Sequence, residues 1–123
     1  MTVADYFAGL KSQVANHPHV STFWFQEDVR TRIIGGIKAQ LLFRNGVALN
    51  FREFVFIESN HVTKLSYSYN CRKHKLIFRY DNAPHHPKLA GAPHHKHVGN
   101  GRVIPSKEPT LQQILLEISL EIK

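Results

Sequence analysis

Hydrophobic positions change their period along the chain. Val3, Tyr6, Phe7, Leu10 and Val14 recur every three or four residues, which predicts a helix over residues 2–16 with one apolar face. Thr2 opens it and Asp5 follows three residues on, the arrangement of a capping box, while His17 and Pro18 close it. After that the period falls to two. Ser21–Glu27 reads as a strand with Phe23 and Phe25 on one side and Trp24 on the other. Ile37, Ala39, Leu41 and Phe43 alternate with Lys38, Gln40 and Arg44, and Gly35 and Gly36 just before them predict a bend or bulge. Asn45-Gly46 is a hairpin signal. A two-residue turn there would pair Arg44 with Val47 and place the two apolar series on opposite faces. A three-residue loop with Gly46 in the left-handed region pairs Phe43 with Val47 and Leu41 with Leu49. Both series then bury together, so this is the expected register.

Val47–Glu58 continues as a long strand and Asn60-His61 makes the next turn. Val62–Tyr69 places Leu65, Tyr67 and Tyr69 on one face; after a turn at Arg72–Lys73, Lys75–Asp81 does the same with Leu76, Phe78 and Tyr80. From Asn82 to Lys107 neither period survives. Pro84, Pro87, Pro93 and Pro105 with Gly91, Gly99 and Gly101 predict an irregular loop of about 25 residues, a length that in a small domain usually serves binding or catalysis. Thr110 and Gln113 make a second capping box, and Leu111, Ile114, Leu115, Ile118 and Ile122 form the stripe of a closing helix. The expected fold is one α+β domain over residues 1–123. It has an N-terminal helix, an antiparallel meander of four to six strands, a long His/Pro-rich loop and a C-terminal helix.

Composition narrows the class. The 123 residues are 42% hydrophobic and 20% charged, which suits a globular domain with its own core. No stretch is long and apolar enough to span a membrane, and the N-terminus lacks a secretory pattern. One cysteine, Cys71, excludes an internal disulfide framework and a cysteine-based zinc finger, and a reducing, cytoplasmic setting is expected. Cys71 itself reads as a passive thiol. Trp24 and the phenylalanines are expected in the core, Glu53 and Glu58 in solvent, and His17, His19 and His61 in exposed turns. Tyr67 and Tyr69 could stack on bases, but core or hydrogen-bonding roles are commoner for such strand residues.

The net charge of +7 is unevenly spread. Residues 72–107 hold Arg72, Lys73, Lys75, Arg79, Lys88, Lys96, Arg102 and Lys107 against the single acid Asp81, so this segment carries the whole excess. It also holds six of the nine histidines: His74, His85, His86, His94, His95 and His97. Such a concentration points to an acidic partner, with phosphate or nucleic acid the leading candidate.

Two histidine clusters stand out, His85-His86 after Pro84 and His94-His95-Lys96-His97 after Pro93. Imidazole trades protons near neutral pH. Cleaving RNA without a metal needs a base for the 2′-OH, an acid for the leaving oxygen and cations for the phosphate. His85, His86, His94, His95 and His97 form the candidate acid/base pool. Arg79, Lys88 and Lys96 are candidate phosphate ligands. Tyr80 and Asp81 are candidates to orient a histidine or the substrate, and Asn82 to cap the turn. No cofactor is expected. Three alternatives stay open: a His-cluster metal site, although the usual His-x3-His spacing is absent; a non-catalytic nucleic-acid or protein binder; and purely structural histidines. The sequence permits a homodimer without requiring one.

The string Arg79-Tyr80-Asp81-Asn82-Ala83-Pro84-His85-His86, followed by Pro93-His94-His95-Lys96-His97, resembles the TumE family of prokaryotic toxin–antitoxin toxins. The resemblance extends to the hairpin at Asn45-Gly46, the Tyr67-Ser68-Tyr69 strand and Val103-Ile104-Pro105-Ser106. It covers roughly residues 32–122 and leaves the first helix unmatched. It implies a small growth-inhibiting protein neutralised by a cognate antitoxin. A helix followed by an antiparallel meander is also similar in outline to small ribonuclease toxins, an analogy at the level of fold.

Overall fold

The structure, a computed structural model, describes residues 1–121. Helix α1 (Val3–Ala15) leads into seven strands: β1 (Val20–Val29), β2 (Ile34–Phe43), β3 (Ala48–Glu58), β4 (His61–Lys73), β5 (Lys75–Asp81), β6 (His95–Val98) and β7 (Val103–Pro105). Helix α2 (Leu111–Glu121) closes the chain. The strands form one antiparallel sheet in sequential order, β1 to β7. The α+β class is as expected, but the meander has seven strands rather than four to six. The predicted loop over 82–107 contains the last two, which are too short to show a period; β6 joins the sheet along β5 and β7 along β6.

Both capping boxes form. Thr2 Oγ1 accepts from the Asp5 amide (3.1 Å) while the Asp5 carboxylate accepts from the Thr2 amide (2.9 Å). Thr110 and Gln113 do the same for α2. The β2–β3 hairpin has the three-residue loop: the Phe43 amide donates to Val47 O (2.8 Å), Gly46 has φ +88°, and Leu41 pairs with Leu49.

Both helices cover one face of the sheet. Val3, Phe7, Leu10 and Val14 of α1 and Leu111, Ile114, Leu115 and Ile118 of α2 are buried there with Ile37, Leu41, Leu49, Tyr69, Cys71 and Phe78. Ile122, the last member of the predicted stripe, lies outside the described residues. No helix among them is long and apolar enough to cross a membrane.

Several expectations are corrected. Gly35 and Gly36 pair in register, without a bulge. Gly35 is instead a close approach: a Cβ there would meet Asp28 O at 3.0 Å and Val3 Cγ2 at 3.4 Å. The turn after β3 is Ser59-Asn60, both with positive φ, and His61 already pairs with Glu58. Arg72–Lys73 stays in β4, and the reversal is at His74 (φ 65°). Phe23 and Trp24 are exposed, because β1 is an edge strand that α1 only partly covers. His17 is half-buried against the Phe43 ring (5.8 Å between centroids) rather than exposed.

A shift at Ile77, between the pairs Cys71–Phe78 and Arg72–Leu76, takes Leu76 off the face it was expected to share with Phe78 and Tyr80. A bulge also falls at Leu65, where Phe54 opposes Ser66 and Val55 opposes Lys64. The extra residue reverses the parity of β4. Leu65 is therefore exposed, not aligned with Tyr67 and Tyr69, and Lys64 turns inward. Its ammonium meets Tyr69 Oη (2.6 Å), Pro109 O (2.6 Å) and Glu53 (3.6 Å). Glu53, expected in solvent, is only 2% exposed and accepts hydrogen bonds from the Tyr6 and Tyr69 hydroxyls. Burial is tolerable because a cation and two hydroxyls satisfy the carboxylate. Burial, with the carboxylate beside it, pushes the Tyr6 and Tyr69 hydroxyls upward in pKa, so both remain donors.

Candidate functional site

Strand alternation divides the predicted site residues between the two faces of the sheet. On the face away from the helices, register aligns Lys38, Arg52, Ser68, Asp81 and His95 across β2–β6. The neighbouring row is Gln40, Asn50, Asn70, Arg79 and His97. The loop after β5 folds back and brings His86 over this face. Its ring lies 4.9 Å from that of His95 and 5.9 Å from that of His97, and the His95 and His97 rings are 4.9 Å apart. A pocket of about 460 Å³ is lined by these three rings with His85, Arg79 and Arg52, among others.

Asp81 organises the pocket. Only 7% exposed, it accepts from Arg79 Nε (3.1 Å) and stands 2.8 Å from His95 Nε2. It also accepts the Ala83 amide (3.0 Å), an Asx turn that starts the loop. The other nitrogen of His95, Nδ1, meets Pro93 O at 2.9 Å. A carboxylate and a carbonyl can only accept, so His95 carries a proton on each nitrogen. This ring is 1% exposed and fixed at both ends.

His97 is in the opposite condition. Arg79 Nη2 lies 3.0 Å from its Nε2, and a guanidinium can only donate, so Nε2 offers a lone pair. Burial lowers the His97 pKa first. The Arg79 cation and the neighbouring His95 and His86 add to the effect, and Asp81, 3.6 Å away, opposes it. With its pKa lowered, His97 is neutral near pH 7. The His97 and His86 rings are both half-exposed to the pocket.

The remaining predicted residues lie elsewhere. Tyr80 and Lys96 point to the helix side, where the Tyr80 hydroxyl donates to Glu117 (2.5 Å) and Lys96 Nζ pairs with its other oxygen (2.8 Å). The Lys96 ammonium sits 4.9 Å from the Tyr80 ring centre. Burial opposes the Lys96 charge, but Glu117 and Tyr80 carry its pKa upward. His94 stacks on Tyr67 (5.8 Å, 19°) with Nδ1 2.9 Å from its hydroxyl. Lys88 is exposed in a neighbouring groove with His86 and Val103. Asn82 does not cap the turn, which Asp81 does; its side chain accepts the Tyr67 amide (3.0 Å) and donates to Leu65 O (3.2 Å), sealing the bulge. Cys71 is buried, and burial pushes its thiol up to about 12, consistent with inertness. Sequence reasoning missed Arg52, Ser68 and Asn70 in the pocket wall. The signal was the alternation of polar residues opposite Arg79 and Asp81.

The ring nitrogens of His86, His95 and His97 lie within 4.8 Å of one another, so these three could hold a divalent ion once His95 gives up the proton it directs at Asp81. An ion at His97 Nε2 would face the Arg79 guanidinium.

A helix-backed antiparallel sheet with four imidazoles and two arginines around one pocket defines a small basic α+β protein able to hold an anion and move protons beside it. The sequence matches the family described as Toxin TumE over residues 10–122, nearly the whole chain, and the chain belongs to that family. The match begins inside α1, well before the residues that carried the resemblance by motif. No curated protein and no solved structure matches it.

Proposed function

We propose that this toxin is a metal-independent endoribonuclease whose target is cellular RNA. The observation that carries the reading is the asymmetry of the pocket: a neutral imidazole, His97, sits beside Arg79 and two further histidines. Arg79 turns from His97 Nε2 to the phosphate, and the freed Nε2 lone pair takes the proton of a 2′-OH. The freed oxygen attacks the adjacent phosphorus, and the bond from phosphorus to the 5′-oxygen breaks. A protonated His86 supplies the proton to that leaving oxygen, with His85 at the rim of the pocket. The products are a 2′,3′-cyclic phosphate and a 5′-hydroxyl. Arg79 and Arg52 stabilise charge on the phosphate. His95 is a positioning residue: it locks Asp81, which holds Arg79. Tyr80, Lys96 and His94 support the fold around the site. The cognate antitoxin supplies an acidic segment that covers the basic pocket.

A second reading rests on the triad of ring nitrogens. The His95 Nδ1 contact to Pro93 O is the orientation that metal-bound histidines commonly take. The reaction would then be metal-assisted hydrolysis.

The test is to incubate purified protein with total RNA and mRNA transcripts in EDTA, and separately with Mg²⁺ or Zn²⁺, and to map new ends. Discrete cuts in EDTA ending in cyclic phosphate are expected. His97→Gln and His86→Ala each lower the rate on the order of 10²-fold or more, whereas Tyr80→Phe leaves it nearly unchanged. Cuts only with added metal favour the second reading. No cuts with folded, growth-arresting protein overturn both.

A further inference from the structure

The polar rows that floor the pocket do not stop at its wall. They run on across β4, β3 and β2 to Trp24 on β1, which pairs with Gln40. A second depression, of about 250 Å³, lies between Trp24 and the pocket and shares Arg52, Ser68 and Asn70 with it. The groove is thus continuous over four strand spacings, or about 19 Å at about 4.8 Å each.

Three features of the groove point to the same ligand. Trp24 is 50% exposed, yet its indole Nε1 donates to Gln40 Oε1 (2.8 Å), which fixes the ring as a platform. Asn70 Oδ1 is the one buried side-chain polar atom without a partner among the described residues, and Asn70 lines both depressions. It is an acceptor awaiting a donor. Lys38 and Arg52 line the same depression, while the only carboxylate in the two rows, Asp81, is already matched by Arg79 and His95. An aromatic plate, a buried acceptor and unopposed cations suit a base face, a base-edge N–H and phosphates. The seam of apolar side chains that a protein partner would bury is missing from these rows.

We infer that this face is a single-stranded RNA track leading into the pocket, with a base stacked on Trp24, a base edge at Asn70 and phosphates on Lys38 and Arg52. The track deepens the ribonuclease reading and rests on it for the choice of RNA. A duplex is excluded from the track, because paired bases present no face to a flat platform.

Trp24 is the only tryptophan, so its fluorescence reports on this groove alone. The probe is a short 2′-O-methyl oligouridylate, which lacks the nucleophile and cannot be cut by the proposed route. Quenching that saturates and weakens with salt is expected. With a fluorescein-labelled probe read by anisotropy, Trp24→Ala weakens binding on the order of tenfold, and Lys38→Gln lowers the salt slope by about one. Quenching without any cleavage of natural RNA would sustain the track and sink the nuclease. Cleavage with no quenching at any salt would do the reverse. Equal binding of duplex RNA, or equal quenching by polyglutamate, would overturn the track, since shape or charge alone would then suffice.

Discussion

His17 accepts the His19 amide at Nδ1 (3.2 Å), so its own proton sits on Nε2, toward Ser119 Oγ (3.2 Å). A second proton on Nδ1 would break the first contact. Burial lowers its pKa, and His19 lowers it further. The unfolded chain therefore binds this proton more readily than the folded one. The stability from His17 is present above the ordinary imidazole value of about 6.5 and is lost as pH falls through the lowered one. Thermal melts should show Tm dropping on mild acidification, and less so in His17→Gln. Glu53 makes a sharper case. With Lys64 truncated as Lys64→Met, a buried carboxylate keeps two hydroxyls and loses its cation. Urea denaturation should show a loss of roughly 3–5 kcal/mol, and adding Glu53→Leu should recover part of it. The sequence could not announce this residue. Its partners come from α1 and β4, and only the Leu65 bulge turns Lys64 inward.

Among the elements, what was legible is what is local. Capping boxes span three residues, and the Phe43–Val47 loop follows from two apolar series needing one face. Thr110→Ala should cost about 1 kcal/mol by chemical denaturation, with α2 fraying first in hydrogen exchange. Strands β6 and β7 were hidden because four and three residues carry too few alternations to reveal a period. The division of the site was half visible. Lys75–Asp81 reads as a strand, so Tyr80 must oppose Arg79 and Asp81. The matching separation of Lys96 from His95 and His97 needs β6 to be recognised. The pocket exists because β6 sets two of its histidines on the face of Arg79, and no spacing along the chain contains that pairing.

In the whole molecule, one face of the sheet is closed by helices and the other is polar and basic. Binding of RNA should therefore weaken steeply between low and physiological salt, measured by anisotropy. A fall in affinity that ignores salt would contradict the charge argument. The two ends of the sheet are unequal as well. β1 presents a ten-residue edge, whereas β7 has three residues and ends in Pro105, which has no amide N–H. Head-to-tail stacking of β1 on β7, the arrangement that grows without limit, lacks a receiving ladder. Two β1 edges can meet only about a two-fold axis, and that union leaves no further long edge. Sheet extension in this protein is thus a self-terminating event. Sedimentation at rising concentration should show one copy, or two, and no filament, however much of the toxin a cell accumulates.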